Sequence, residues 1–274
     1  MSLDPVRKAI WYVGAHSREE LSLEAIARSC EVSPSHLTRA FAAATGSSLI
    51  RYLRARRLAD GAADILTVAL DAGYGSHEAF SRAFREQFGL TPEQVRARRS
   101  LDQLDLMEAL VLSDHPLPPL DPPRIETLPA RKLAGIAERH RCDSGAGIPD
   151  QWQRFLAVRD EIPHRVGPAS YGASYNSDGE LWFDYLCATE VSRVNGLPAD
   201  LTALDIPAGR HAVFTHRGHI AGIRATFAAI WSGWFPTSGE RSTDGPVIEH
   251  YGPEFDSRSG EGDVEIWIPL VEVR

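Results

Sequence analysis

LSDHPLPPLDPP, residues 112–123, places five prolines in twelve positions. Proline fixes its own φ and offers no backbone N–H, so this run favours an extended spacer and stops any helix that reaches it. The flanking segments, 1–111 and 124–274, differ in both hydrophobic period and charge. At 274 residues the chain also exceeds the usual size of one domain, so a two-domain division at this spacer is expected.

Upstream of the spacer the apolar spacing is helical. Val6, Ile10 and Val13 form one stripe, and SLEAIARSC (22–30) opens with Ser22 as an N-cap and Glu24 in the first turn, where its charge suits the helix dipole. SPSHLTRAF (33–41) repeats the device with Ser33 as cap, Pro34 at the first helical position, and Leu37 and Phe41 on one face. Two short helices joined by CEVS make a helix-turn-helix. The pattern recurs in TVALDAGYG (67–75) followed by SHEAFSRAF (76–84), with Phe80 and Phe84 on the buried side, and TPEQ (91–94) has capping-box form. The N-terminal domain is therefore expected to be all-α with two helix-turn-helix units.

A helix-turn-helix reads DNA with the outward side chains of its second helix. In the first unit these are Ser35, Thr38 and Arg39, and in the second His77, Glu78, Ser81 and Arg82. Their chemistry suits base edges, since arginine can grip guanine, glutamate can accept from cytosine, and serine or threonine can contact any base. The charge distribution agrees. The chain carries a formal −8, yet residues 1–100 hold 14 basic against 11 acidic side chains, whereas residues 101–274 hold 15 against 26.

The stretch LSLEAIARSCEVSPSHLTRAFAAATGSSLIRYLRARRL, followed by VALDAGYGSHEAFSRAFREQFGLTPEQVR, resembles the AraC-type DNA-binding domain. The resemblance implies double-stranded promoter DNA as a partner, two recognition helices entering successive major grooves, base contacts from the seven residues just named, and RNA polymerase as a further partner. One departure stands out. RLADGAADILTVA (57–69), which corresponds to the long linking helix of the family, is about seven residues short, or ~10 Å of helix rise. Adjacent major grooves lie about 34 Å apart, so both helices are not expected to seat in straight DNA.

Downstream of the spacer the period falls to two. RKLAGIAER, ASYGASYN, WFDYLCATEV, RHAVFTHRG, PVIEHYG and DVEIWIPLVEV read as strands, interrupted by helical PDQWQRFLAVRDEI and HIAGIRATFAAIWSGWF. The order is strand, helix, strand, strand, twice over. It predicts an α+β domain of duplicated units forming one antiparallel sheet with the helices on one face. Aligning CATEV with PLVEV sets Phe183 and Tyr185 beside Glu265 and Trp267, so one face is expected to gather aromatics around a carboxylate. That combination suits an apolar or cationic ligand.

Residues 124–274, through PAGRHAVFTHRG, WFPTSGE, EHYGP and EIWIPL, look like the GyrI-like effector-binding domain. The resemblance implies a small-molecule effector in a groove between the halves, with Glu265 as its acidic group. The expected lining is Glu265, Trp267, Phe183, Tyr185, Tyr175, Tyr251 and Trp231.

The reading is a ligand-responsive transcription regulator without a cofactor, and not an enzyme. Alternatives are a hydrolase of small electrophiles using Glu265 with Tyr251 or Tyr185, or a protein-binding module, in either case beside an impaired DNA-binding domain. No apolar run approaches ~18 residues, so no membrane partner is expected, and MSLDPVRKAIWYV lacks the form of a secretory signal, so the expected location is cytoplasmic. Cys30, Cys142 and Cys187 fit neither a disulfide framework nor paired metal ligands, and His216 with His219 lacks a third clustered ligand.

Overall fold

The computed structural model describes residues 5–16, 19–53, 76, 78, 81–82, 85, 91–94, 117–141, 147–178 and 182–272. His77, Phe80, Phe84, Cys142 and the short 57–69 connection lie outside the described residues. Three helices open the chain: α1 (Pro5–His16), α2 (Leu23–Ser29) and α3 (Pro34–Thr45).

Local chemistry sets their ends. Ser22 accepts a hydrogen bond from the Ala25 N–H and Ser33 one from the His36 N–H, so each satisfies an amide the helix itself leaves open. Pro34 stands in the first turn of α3, and Gly46 closes that helix with φ +67, a left-handed conformation that side chains rarely adopt. Val6, Val13, Ile26, Leu37 and Phe41 are buried together. Thr91 and Gln94 form a reciprocal capping box, with N–H to side-chain distances of 2.8 and 3.3 Å.

After residues 117–123, which lie in neither helix nor strand, the chain runs β1 (Arg124–Leu128), β2 (Arg131–Arg141), α4 (Ile148–Val158), β3 (Arg165–Tyr175), β4 (Trp182–Val191), β5 (Thr202–Ile206) and β6 (Gly209–His216). A helical stretch follows: α5 (Ile223–Ala228), a π-helical segment Ala229–Trp234 and α6 (Phe235–Ser238). The chain continues through β7 (Val247–Tyr251) and β8 (Val264–Pro269). All eight strands join one antiparallel sheet in the order β1-β6-β8-β7-β3-β4-β2-β5. The two edge strands, β1 and β5, are five residues each and add to the strands expected from the sequence.

Register decides which side chains meet. Across the centre of the sheet Ile266 pairs with Glu249, Glu249 with Gly172, and Gly172 with Cys187. Directly paired residues share a face, so Ile266, Glu249 and Cys187 point the same way, with Tyr185 and Phe183 two and four residues back from Cys187. This is the face that carries the helices: Ile266 and Ile268 pack with Ile230, Trp231 and Phe235, while Cys187 and Tyr185 pack with Phe155 of α4. The reverse face carries Trp267, Ile248, Tyr171 and Val213 as a separate cluster.

The helix-turn-helix region and the sheet region share a core. Leu37 and Phe41 of α3 belong to one continuous apolar cluster with Ile230, Trp231 and Phe235. Burying side chains of that size contributes roughly 1.5–3 kcal/mol each. The contact also takes in polar groups. His36 is 4% exposed, its ring lies 5.0 Å from that of Trp231 and 4.9 Å from that of Phe235, and its Nδ1 is 3.3 Å from Ser242 Oγ.

Candidate functional site

A cavity of about 950 Å³ opens between the helix-bearing face of the sheet and the helices above it. That is the size of a pocket for a drug-sized molecule. Its lining is aromatic: Trp152, Phe183, Tyr185, Phe227, Trp231 and Tyr251 all contribute. Glu249 is the one carboxylate among the described lining residues.

Three neighbouring strands build the polar centre. In VIEHY, the sequence of β7, alternation sends Val247, Glu249 and Tyr251 to the cavity side and Ile248 and His250 to the other. Tyr185 Oη, from β4, donates to Glu249 Oε2 at 2.6 Å, and Tyr251 Oη donates to the same oxygen at 2.7 Å. Between them β3 contributes Gly172, where a Cβ would fall 2.2 Å from Tyr185 Oη and 2.9 Å from Glu249 Oε2. Only a residue without a side chain leaves room for this group. Trp152 steadies it from α4, donating Nε1–H to Tyr185 Oη at 3.3 Å and meeting the Tyr251 ring edge-on at 4.8 Å.

The electrostatics follow from burial. Glu249 is 9% exposed, and the loss of water raises its carboxyl above the ordinary carboxylate range, against the opposing pull of the two tyrosine hydroxyls. The Tyr185 and Tyr251 hydroxyls are raised as well, first by burial and then by the nearby carboxylate, so they remain donors. Four arginines also reach the lining. Arg141 and Arg224 are exposed, and Arg39 and Arg159 are half-buried.

Phe183, Tyr185, Tyr175, Tyr251 and Trp231 all line this cavity. Glu265 and Trp267 do not. They lie on the reverse face, where Arg124 Nη2 donates to Glu265 Oε1 at 2.6 Å and Trp267 Nε1 donates to Oε2 at 3.0 Å. The bond with His250, followed by those from Arg124 and Trp267, holds the Glu265 carboxyl down to about 2. It is already a paired anion. The alignment of CATEV with PLVEV sets Tyr185 beside Trp267, whereas across β8, β7, β3 and β4 it is Ile266 that falls in one row with Cys187, so Glu265 and Trp267 face away from Tyr185. The acidic group of the cavity is Glu249, and its spacing of two from Tyr251 within a period-two strand is the sequence signal that marks it.

The DNA-reading candidates fall in different surroundings. Glu78 and Arg82 are exposed, Ser81 and Ser35 half-buried, and His77 lies outside the described residues. Thr38 does not face solvent: it is 1% exposed, because α3 packs its second side against α5 and the π-helical segment. Arg39 is turned the same way, its guanidinium 5.8 Å from the centre of the Trp231 ring and its Nη2 3.4 Å from the Gly245 carbonyl oxygen. Thr38, Arg39, Ala42, Ala43 and Gly46 form one wall of the cavity.

Among the described residues no cluster of His, Cys, Asp or Glu is placed to hold a metal ion. His216 Nδ1 is 2.7 Å from Thr226 Oγ1 and Nε2 is 3.2 Å from the His219 carbonyl oxygen. Cys30 and Cys187 are buried free thiols.

Residues 121–271 match the GyrI-like small molecule binding domain, and residues 26–98 match a helix-turn-helix domain. The chain belongs to the AraC-type regulators that carry a GyrI-like domain. It is similar to the right origin-binding protein of Escherichia coli K12, 27% identical with 95% of this chain and 96% of that one covered. The transcriptional regulator Rob of Salmonella typhimurium is also 27% identical, with 94% and 93% covered. The regulatory protein SoxS of Escherichia coli K12 is 33% identical over 100 residues, 34% of this chain and 94% of its own.

Proposed function

We infer that the protein is a transcription regulator whose C-terminal domain, residues 124–274, binds a bulky apolar cation in the Glu249 cavity and alters promoter binding by residues 1–111. The two strand–helix–strand–strand runs are read as duplicated units, with the effector held between them. One observation carries the reading: a buried carboxylate, ringed by aromatic side chains and bonded, among the described residues, to two neutral tyrosine hydroxyls of its walls. A cation seated there would meet ring faces and a carboxylate whose charge burial otherwise disfavours. The regulatory names of the relatives support binding over turnover.

A second reading rests on the four lining arginines. An amphiphilic anion could set its head on Arg141 and Arg224 and its apolar body in the cavity. One titration separates the two. Trp152 and Trp231 line the cavity, so an occupant should quench tryptophan fluorescence. Tetraphenylphosphonium is expected to quench saturably and dodecanoate not. The reverse pattern favours the anion, and silence from both removes the effector site.

A further inference from the structure

The helix that should read DNA is also a wall of the effector cavity. Thr38 is 1% exposed and His36 4%, so the side of α3 that would enter a major groove is covered by Trp231 and Phe235. A helix cannot lie in the groove and against another helix on that same side, so the docked and DNA-bound positions of α3 exclude each other. Arg39 shows what the docked position costs and what could undo it. It is a cation held over Trp231, an aromatic wall of the proposed cation site.

We propose that Arg39 of α3 is a built-in occupant of the effector site, and that an external cation displaces it and releases α3 to DNA. This rests on the cation reading of the Glu249 cavity. A cation among these aromatics would lie near the Arg39 guanidinium in a site of low dielectric, where like charges repel more strongly than in water. It therefore binds the undocked state more tightly, and by linkage it raises the undocked population. Burial, with Arg39 and Arg241 close by, depresses the His36 imidazole to about 4 and keeps it neutral.

The buried Thr38 supplies the test. In full-length Thr38→Cys on a Cys142→Ser background, with Cys30 and Cys187 buried, the new thiol should react slowly with a thiol reagent. Saturating tetraphenylphosphonium should raise that rate at least about tenfold, the factor expected of an allosteric coupling of ordinary size. Adding Arg39→Ala should speed labelling without the probe and tighten probe binding measured by calorimetry. Probe that binds calorimetrically but leaves the rate unchanged or slower overturns the proposal. If the probe does not bind, the cation reading fails and displacement fails with it. The dock is then judged by Ser242→Arg, which sets a charge against His36: fast labelling in a folded protein supports a dock that holds α3 off DNA, and slow labelling overturns that too.

Discussion

Glu249→Gln should stabilise the ligand-free protein at neutral pH while weakening the binding of tetraphenylphosphonium. The two effects have one cause. A carboxyl raised by burial contributes stability that is fully present below its unfolded value and is lost as pH rises through the folded one, so the wild type is penalised at pH 7–8. Glutamine keeps the shape and an oxygen that can accept from Tyr185 and Tyr251, but it never ionises. The melting temperature of the variant should therefore exceed that of wild type at neutral and higher pH, and the two should converge toward pH 4. Cation affinity should run oppositely. In wild type it should rise with pH as Glu249 ionises, and in Glu249→Gln it should be flat and at least about tenfold weaker at pH 8, ~1.4 kcal/mol. Calorimetry and thermal melts across pH 4–8 measure both. A variant less stable throughout, binding as tightly as wild type, would remove Glu249 from the site.

Gly172→Ala should cost the protein its cation binding, as losing the carboxylate weakens it, but should also destabilise the fold, although it adds only a methyl group. Its Cβ would lie 2.2 Å from Tyr185 Oη and 2.9 Å from Tyr185 Cζ. The ring has little room to yield, since Tyr185 is 2% exposed and packed against Phe183 and His140. Overpacking together with loss of a buried hydrogen bond is expected to cost roughly 2–4 kcal/mol. Denaturant unfolding should show that loss, and tryptophan quenching by the cation should disappear with it. Wild-type stability with intact quenching would mean that the Tyr185–Glu249 pair is not what shapes the cavity.

Much of the fold was legible because local chemistry fixed it. Ser22 and Ser33 cap helices where their side chains predicted caps, Thr91 and Gln94 bond as their spacing implied, and strands appeared where the period fell to two. Sheet register was not legible. Nothing in CATEV or PLVEV says which strand lies between them, and pairing through β7 and β3 sets Tyr185 with Glu249 rather than with Glu265. Phe183, Tyr185, Tyr175, Tyr251 and Trp231 line the cavity beside Trp152 and Phe227, two aromatics the sequence reading left out of the lining. The position of α3 was the least visible. Amphipathic spacing reveals the side that faces its own module, through Leu37 and Phe41, but Thr38 and Arg39 are polar residues whose covering partner, the segment around Trp231, lies almost 200 positions along the chain.

The cation and the promoter are expected to bind one chain cooperatively. An operator selected from a random-sequence pool, labelled and titrated with the full-length protein in an anisotropy assay at fixed salt, measures that directly. With saturating tetraphenylphosphonium the dissociation constant should fall at least about tenfold in wild type and stay unchanged in Glu249→Gln. Equal affinity with and without the cation in wild type, under conditions where the cation is shown to be bound, would contradict it.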